Sequence, residues 1–141
     1  MAKVSICVPT YNNVSEVERL LQSIRRQNYT DYEVNISDDS TNDETEELVE
    51  RVRTEWQWQN KLHYIHNATP LGHIYNWNAA IKMAAGQYIK IMFSDDWFTD
   101  EKSLSAFVSM LDEHPEVNLA FSGSMQVLLD GQDIELSLIH I

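Results

Sequence analysis

Two adjacent carboxylates, Asp95 and Asp96, end an apolar run that reads Ile-Lys-Ile-Met-Phe-Ser over 89–94. A strand that delivers bare acid to its own C-terminal edge, in a sheet whose ligands bind at that edge, suits a hard divalent cation. The competing reading is a solvated turn in which an aspartate caps the next helix, because aspartate is also a favoured turn and cap residue. Two further polar clusters bear on the choice: Thr10-Tyr11-Asn12 after the first apolar run and Asp38-Asp39-Ser40 after the second. Tyr11 offers a flat face and a hydroxyl suited to a nucleobase, and Asp39 can accept hydrogen bonds from a base N–H or a ribose hydroxyl. Carboxylates gathered at one edge repel one another unless a cation joins them. Mg2+ or Mn2+ held by one or two of them keeps positions open for phosphate oxygens. The ligand this set describes is a metal-bound nucleoside diphosphate.

The three clusters share one edge only if the strands carrying them are parallel. Val4, Ile6 and Val8 alternate with Ser5 and Cys7 before Pro9, which predicts a short first strand. Val17, Leu20, Leu21 and Ile24 recur at helical spacing over 15–27. A second strand is expected over 32–37, and Thr41-x-x-Glu44 resembles a capping box opening a helix to about Trp56. A third strand is expected over 62–67, then a helix marked by Ile74, Trp77, Asn78 and Ile81 that stops at Gly86. The strand ending in Asp95-Asp96 follows, then a helix carrying Leu104, Phe107, Val108 and Leu111, and a fifth strand over 117–122. An Asp-Gly turn at 130–131 between 125–129 and 132–136 predicts a β-hairpin. Strand and helix alternate, so the expected class is α/β: a Rossmann-like, mostly parallel sheet with helices on both faces.

With 141 residues, 43% of them hydrophobic, the chain is long enough for one core. Acidic residues outnumber basic ones 22 to 10, for a net charge of -12, which repels nucleic acid and anionic membranes. An anionic ligand therefore needs help from a metal ion or backbone N–H groups. The single cysteine, Cys7, lies within the apolar first strand and is expected to be a buried thiol. The start lacks a signal-peptide pattern and no apolar run is long enough to span a bilayer, so a cytoplasmic location is expected, with membrane association of the full-length protein as the alternative.

In order along the chain, these motifs resemble the inverting family 2 glycosyltransferases of GT-A fold. Val-Ser-Ile-Cys-Val-Pro-Thr-Tyr-Asn-Asn at 4–13 is similar to that family's first strand and nucleotide loop, and Ile-Ser-Asp-Asp-Ser-Thr-Asn-Asp-Glu-Thr at 36–45 to its second-strand motif. Gly72, Asn76-Trp77-Asn78 and Ala-Gly-Gln-Tyr-Ile-Lys at 85–90 match the segment leading to the metal motif. Phe-Ser-Asp-Asp at 93–96 sits where the family has its Asp-x-Asp-like signature. The resemblance covers 3–123 and implies that Pro9, Tyr11 and Asp39 border the nucleoside, with Thr10 also binding substrate. It further implies that Asp95 contacts ribose or metal-bound water and that Asp96 ligates Mn2+ or Mg2+. The implied donor is a nucleoside-diphosphate sugar, uridine diphosphate favoured, and the implied acceptor a carbohydrate or lipid-linked hydroxyl.

Two departures stand out: Phe93 replaces the first aspartate of the commoner Asp-x-Asp-Asp version, and Trp77 stands where many members have arginine. No residue after Ser124 matches the family's general-base segment. Residues 136–141, Leu-Ser-Leu-Ile-His-Ile, read as a translated transposon-end sequencing adapter. The expected organisation is accordingly a partial nucleotide-sugar-binding GT-A domain over 1–135 with a non-native tail, the donor-binding half of a longer enzyme. A non-catalytic nucleotide-sugar binding module is the alternative. A Rossmann dehydrogenase is excluded because Pro-Thr-Tyr-Asn-Asn contains no glycine, and a receiver domain because its acidic pair belongs after the first strand.

Other side chains carry weaker expectations. His63 and His66, oddly spaced on one strand, point to opposite faces and do not form a metal pair. His73 is expected at the surface, Trp56 and Trp58 in packing roles, and Trp77 in the core of its helix. Trp97 is expected to be the tryptophan better placed to line a donor pocket, with packing a comparable alternative, and the acidic run over 43–50 to be a solvated helix start.

Overall fold

The computed structural model describes residues 1–127 and 133–136. In chain order the elements are β1 (Val4–Thr10), α1 (Val14–Arg25), β2 (Tyr32–Asp38), α2 (Glu44–Trp56), β3 (Leu62–His66), α3 (His73–Lys82), β4 (Tyr88–Ile91), α4 (Ser103–Glu113), β5 (Ser124–Val127) and β6 (Asp133–Leu136). β1 to β4 form a wholly parallel sheet in the order β3-β2-β1-β4, with Val4 level with both Tyr32 and Tyr88. The path moves one way from β1 to β3 and then returns across β1 to reach β4. Right-handed crossovers then put α1 and α2 on one face and α3 on the other. The direction of winding reverses between β1 and β4, and a crevice opens beyond their C-terminal ends.

β1 is buried along its whole length because it is a central strand covered on both faces. Val4, Ile6 and Val8 meet Tyr32, Val34 and Ile36 of β2 in register, and all six are buried. On α1, Val17, Leu20, Leu21 and Ile24 make a fully buried stripe, each contributing roughly 1.5–3 kcal/mol. The exposed Arg51–Glu18 pair between α2 and α1, at 2.9 Å, adds at most about 1 kcal/mol, so apolar burial fixes this helix. Trp58 packs edge-on against Tyr32 and Trp56, as expected of a packing residue.

The opposite end of the sheet is tied by one carboxylate. Glu33 Oε1 accepts from Ser5 Oγ at 2.7 Å, the Ala85 backbone N–H at 2.9 Å and Asn35 Nδ2 at 3.2 Å. Burial pushes the Glu33 carboxyl up, but the hydrogen bonds and nearby His63 outweigh it and hold the group below its ordinary range. A carboxyl depressed by folding stabilises the protein above its unfolded pKa and loses that contribution as pH falls through the folded value. Glu33→Gln should therefore lower stability at neutral pH by roughly 1–2 kcal/mol. In urea titrations run at several pH values, the gap from the parent should shrink as the medium turns acidic; a gap that widens there would contradict this reading.

Gly86 lies against the same strand: a Cβ built on it meets the Ser5 nitrogen and Oγ at 2.8 Å. The near neighbour is β1 backbone, which cannot yield. Gly86→Ala should cost about 1–3 kcal/mol of stability, read as a lower denaturant midpoint.

Several expectations change on contact with the structure. α2 opens at Glu44 with Asp43 as N-cap and no side-chain cap, so Thr41 is not the cap of a capping box. Its hydroxyl and backbone N–H bond instead with the Asn12 side chain. β4 ends at Ile91, which leaves 92–97 as loop and turn. The fifth strand expected over 117–122 does not form: Leu119 and Phe121 are exposed and no strand pairs there among the described residues. Alternation alone does not make a strand where neither a partner edge nor a covering layer is supplied. β5 and β6 pair antiparallel, as a hairpin requires, while the turn at 130–131 and the tail beyond Leu136 lie outside the described residues. The chain divides into two compact units, Met1–Ser105 and Ala106–Ile141. Among the described residues no helix is long and apolar enough to cross a membrane.

Candidate functional site

The crevice beyond β1 and β4 holds a pocket of about 360 Å³. Pro9, Thr10, Tyr11 and Asn13 from the end of β1 line it with Asp39 from the end of β2. Pro70, Gly72, His73, Asn76 and Trp77 come from the approach to α3 and its first turns, and Phe93 and Ser94 from beyond β4. Four of the residues singled out from sequence, Pro9, Thr10, Tyr11 and Asp39, thus meet in one cavity. Asp95 and Asp96 do not line it; they follow Ser94 directly and stand exposed at its rim.

Asp39 is buried, and its carboxylate organises the pocket wall. Oδ2 accepts the backbone N–H groups of Leu71 and Gly72 at 2.9 and 2.8 Å, and Oδ1 accepts Asn67 Nδ2 at 2.8 Å. Gly72 has φ of +84°, a backbone shape that L side chains resist, and that turn presents its N–H to Asp39. Asn67 also reaches Asn76 Oδ1, and Asn76 Nδ2 donates to the Thr10 carbonyl at 3.1 Å. The ends of β1 and β2 and the start of α3 are therefore one hydrogen-bonded unit. Oδ2 is filled by its two N–H donors, while Oδ1, which accepts one, keeps acceptor capacity toward a ligand.

Asp38, the buried neighbour, faces away into the fold: it accepts the Ser40 N–H and the Tyr64 hydroxyl, each at 2.9 Å. The loop after β1 is laced to the loop after β2 through Asn12, which adopts φ of +49° and gives its N–H to Ser40 Oγ at 2.8 Å. Tyr11, next to it, projects with 53% of its surface exposed, free to offer its ring to a ligand.

At the rim, the 93–96 turn closes on itself. The Asp96 N–H reaches the Phe93 carbonyl at 2.9 Å, and the Asp96 carboxylate accepts the Phe93 N–H at 3.3 Å. Partial desolvation raises the Asp96 pKa most; the Phe93 N–H draws it back, Asp95 raises it again and Lys90 lowers it. Two adjacent carboxylates, one of them with a raised pKa, offer oxygen donors of the type a hard divalent cation takes. A second group of possible ligands, Asp43, Glu46 and His66, has donor atoms within 4.8 Å of one another. His66 Nε2 lies 2.8 Å from the Ser40 carbonyl, and that bond, with the surrounding Asp38, Asp43 and Glu46 charges, raises its pKa.

Of the two tryptophans, Trp77 departs from the core role expected of it, and Trp97 takes the packing role that was the alternative to lining the pocket. Trp77 is on the pocket wall, its ring 4.8 Å from Phe93, while Trp97 is half-buried beneath the Arg19 guanidinium at 4.1 Å and does not line the pocket. His73 is exposed, as expected, and borders the pocket. His63 approaches Glu33 at 3.8 Å while His66 meets Ser40, on opposite faces as their spacing requires. Cys7 is buried, and burial pushes its thiol up to about 11, so it is no nucleophile at neutral pH. Asn67 and Pro70 carry no signal as site residues in the sequence, whereas Asn13 and Ser94 lie within the motifs at 4–13 and 93–96.

The family model described as Glycosyl transferase family 2 matches residues 5–124. The chain belongs to glycosyl transferase family 2. Abequosyltransferase RfbV of Salmonella typhimurium is 34% identical over 118 residues, 82% of this chain and 34% of that protein. Poly(ribitol-phosphate) β-N-acetylglucosaminyltransferase TarS of Staphylococcus aureus is 32% identical over 116 residues, 81% of this chain and 20% of that one. The chain thus spans about a third or less of these curated relatives. Among solved structures, S. aureus TarS 1-349 in complex with UDP-GlcNAc superposes with a TM-score of 0.70 at 26% identity, covering 92% of this chain and 41% of the other. The mannosyltransferase PcManGT of Pyrobaculum calidifontis, in complex with GDP-Man and Mn2+, gives 0.69 at 27% identity, covering 77% and 32%. The family 2 chain has the GT-A-type fold of these neighbours, as its motifs led one to expect.

Proposed function

We propose that the pocket beyond β1 and β4 binds the nucleoside-diphosphate end of a sugar donor, with uridine diphosphate favoured. The longer enzyme it serves would transfer the sugar, with inversion, to a carbohydrate or lipid-linked hydroxyl. The observation that supports this reading is the convergence of Pro9, Thr10, Tyr11 and Asp39 in one cavity, whose lining residue Ser94 is followed directly by Asp95 and Asp96. Neighbours of the same fold are described with UDP-GlcNAc and with GDP-Man and Mn2+ bound, which supports the ligand class.

In this reading the Tyr11 ring covers the base, and the clamp built by Asp39 sets the width of the cleft. Asp95 contacts ribose or metal-bound water and Asp96 ligates the metal. A bound Mn2+ or Mg2+ would neutralise the diphosphate and stabilise it as a leaving group. The -12 charge makes that neutralisation necessary rather than incidental. No described residue is assigned as general base for the acceptor, and transfer by the 141-residue chain alone is expected to be slight.

Trp77 supplies a local probe of the pocket. Uridine diphosphate with Mn2+ should quench tryptophan fluorescence, and Trp77→Phe should remove most of that quench. A quench of unchanged size in the variant would move the ligand elsewhere.

A further inference from the structure

The donor-site reading leaves one question about the pocket, namely how its nucleoside side and its acidic rim are held in register. β1 and β4 are paired up to Ile91, and just beyond it the Met92 N–H still reaches the Cys7 carbonyl at 3.0 Å. Beyond it the chain leaves the sheet and enters the 93–96 turn. The tether that follows comes from Asn13.

Asn13 occupies the N-cap of α1, where asparagine is favoured because its side chain can accept a helix N–H. Here the side chain makes no such cap. Its Oδ1 accepts the hydroxyl of Thr10, and its Nδ2 donates to Ser94 Oγ, 81 residues away in sequence. Thr10 and Ser94 are both buried, and Asn13, half-buried between them, spans the pocket wall from the end of β1 to the turn beyond β4. The Thr10 carbonyl, moreover, accepts the Asp39 N–H at 3.0 Å and Asn76 Nδ2 at 3.1 Å. One end of the bridge is therefore fixed in the unit that shapes the nucleoside pocket, and the other lies one residue before Asp95.

We propose that Asn13 is a positioning residue which, through Ser94, couples the nucleoside side of the pocket to the acidic turn, so that nucleotide and divalent metal bind cooperatively. The inference rests on the donor-site reading above. Ordering Thr10 and Asp39 around a nucleotide also orders Ser94, and a metal that fixes the Asp95-Asp96 turn also fixes Asn13. Coupling of this kind is reciprocal: whatever factor the metal adds to nucleotide affinity, the nucleotide adds to metal affinity.

The test uses the 141-residue chain, uridine diphosphate and Mn2+. Its readout is the factor by which Mn2+ tightens nucleotide binding in the parent, Asn13→Ser, Ser94→Ala and the double variant, with a melting curve for each. Serine at 13 remains a favoured N-cap but is too short to reach Ser94 Oγ. The Mn2+ factor should fall about fivefold or more in each single variant, the double variant should fall no further, and the melts should stay close to the parent's. A parent-like factor in folded single variants overturns the coupling, as do losses that multiply in the double variant. Cold, broad melts in both single variants assign the bridge to folding alone and overturn it too. A parent that binds no uridine diphosphate, or binds it equally with and without Mn2+, instead overturns the donor-site reading and takes the coupling with it.

Discussion

Asp96→Asn is expected to remove most of the metal-dependent part of nucleotide binding, on the order of 100-fold in affinity or about 2.7 kcal/mol. Asparagine keeps the size and one oxygen of the side chain but loses the charge that a hard cation requires. The adjacent Asp95 raises the Asp96 pKa alongside partial desolvation, and a divalent cation beside the pair would relieve that repulsion. The loss should be confined to titrations with Mn2+, with nucleotide binding in its absence near the parent's. Isothermal titration of both proteins with and without the metal reads this directly. A variant weakened equally in both conditions would place Asp96 in the fold or against the nucleotide rather than on the metal.

Asp39→Ala should have the largest effect on the pocket itself. Three donors, Asn67 Nδ2 and the N–H groups of Leu71 and Gly72, lose their acceptor at once. Because the Leu71 and Gly72 N–H groups lie near the surface and can turn to water, the cost is about 2–4 kcal/mol rather than the sum of three charged hydrogen bonds. For a chain of this length that corresponds to a melting point lower by roughly 10 °C. Nucleotide binding should weaken more than tenfold, since the segment carrying Pro70, Gly72 and His73 would no longer be drawn against β2. Asp39→Asn, which keeps one acceptor oxygen, should fall between alanine and the parent in both measurements. A stable Asp39→Ala protein with parent-like affinity would show that the segment is held by other means.

The alternation of strand and helix was legible because a parallel sheet imposes it everywhere: β1 to β4 and α1 to α3 need a covered strand and an amphipathic helix in turn. The site was legible to the extent that its residues sit at strand ends. Pro9, Thr10, Tyr11 and Asp39 met in the pocket because parallel strands put their C-terminal ends on one edge. What stayed hidden was set by contacts between distant residues. Thr41 has the spacing of a capping residue, yet Asn12 claims it. Asn13 has the position of a cap, yet its side chain crosses to Ser94. Asn67 lies outside every motif quoted from the sequence, yet it is the partner of Asp39. Trp77 and Trp97 both follow polar or acidic neighbours, and only the rotation of α3 and the course of the chain after Asp96 decide which faces the cavity. The apolar alternation over 117–122 is that of a strand, but strand formation depends on a neighbouring edge that the local sequence does not encode.

Calorimetric titration of the 141-residue chain with uridine diphosphate, run with Mn2+ and again with the metal chelated, bears most directly on donor binding at this pocket. One site whose affinity rises clearly when Mn2+ is present is the expected result. Equal affinity in the two titrations, or no binding in either, would contradict a metal-assisted nucleotide-sugar site.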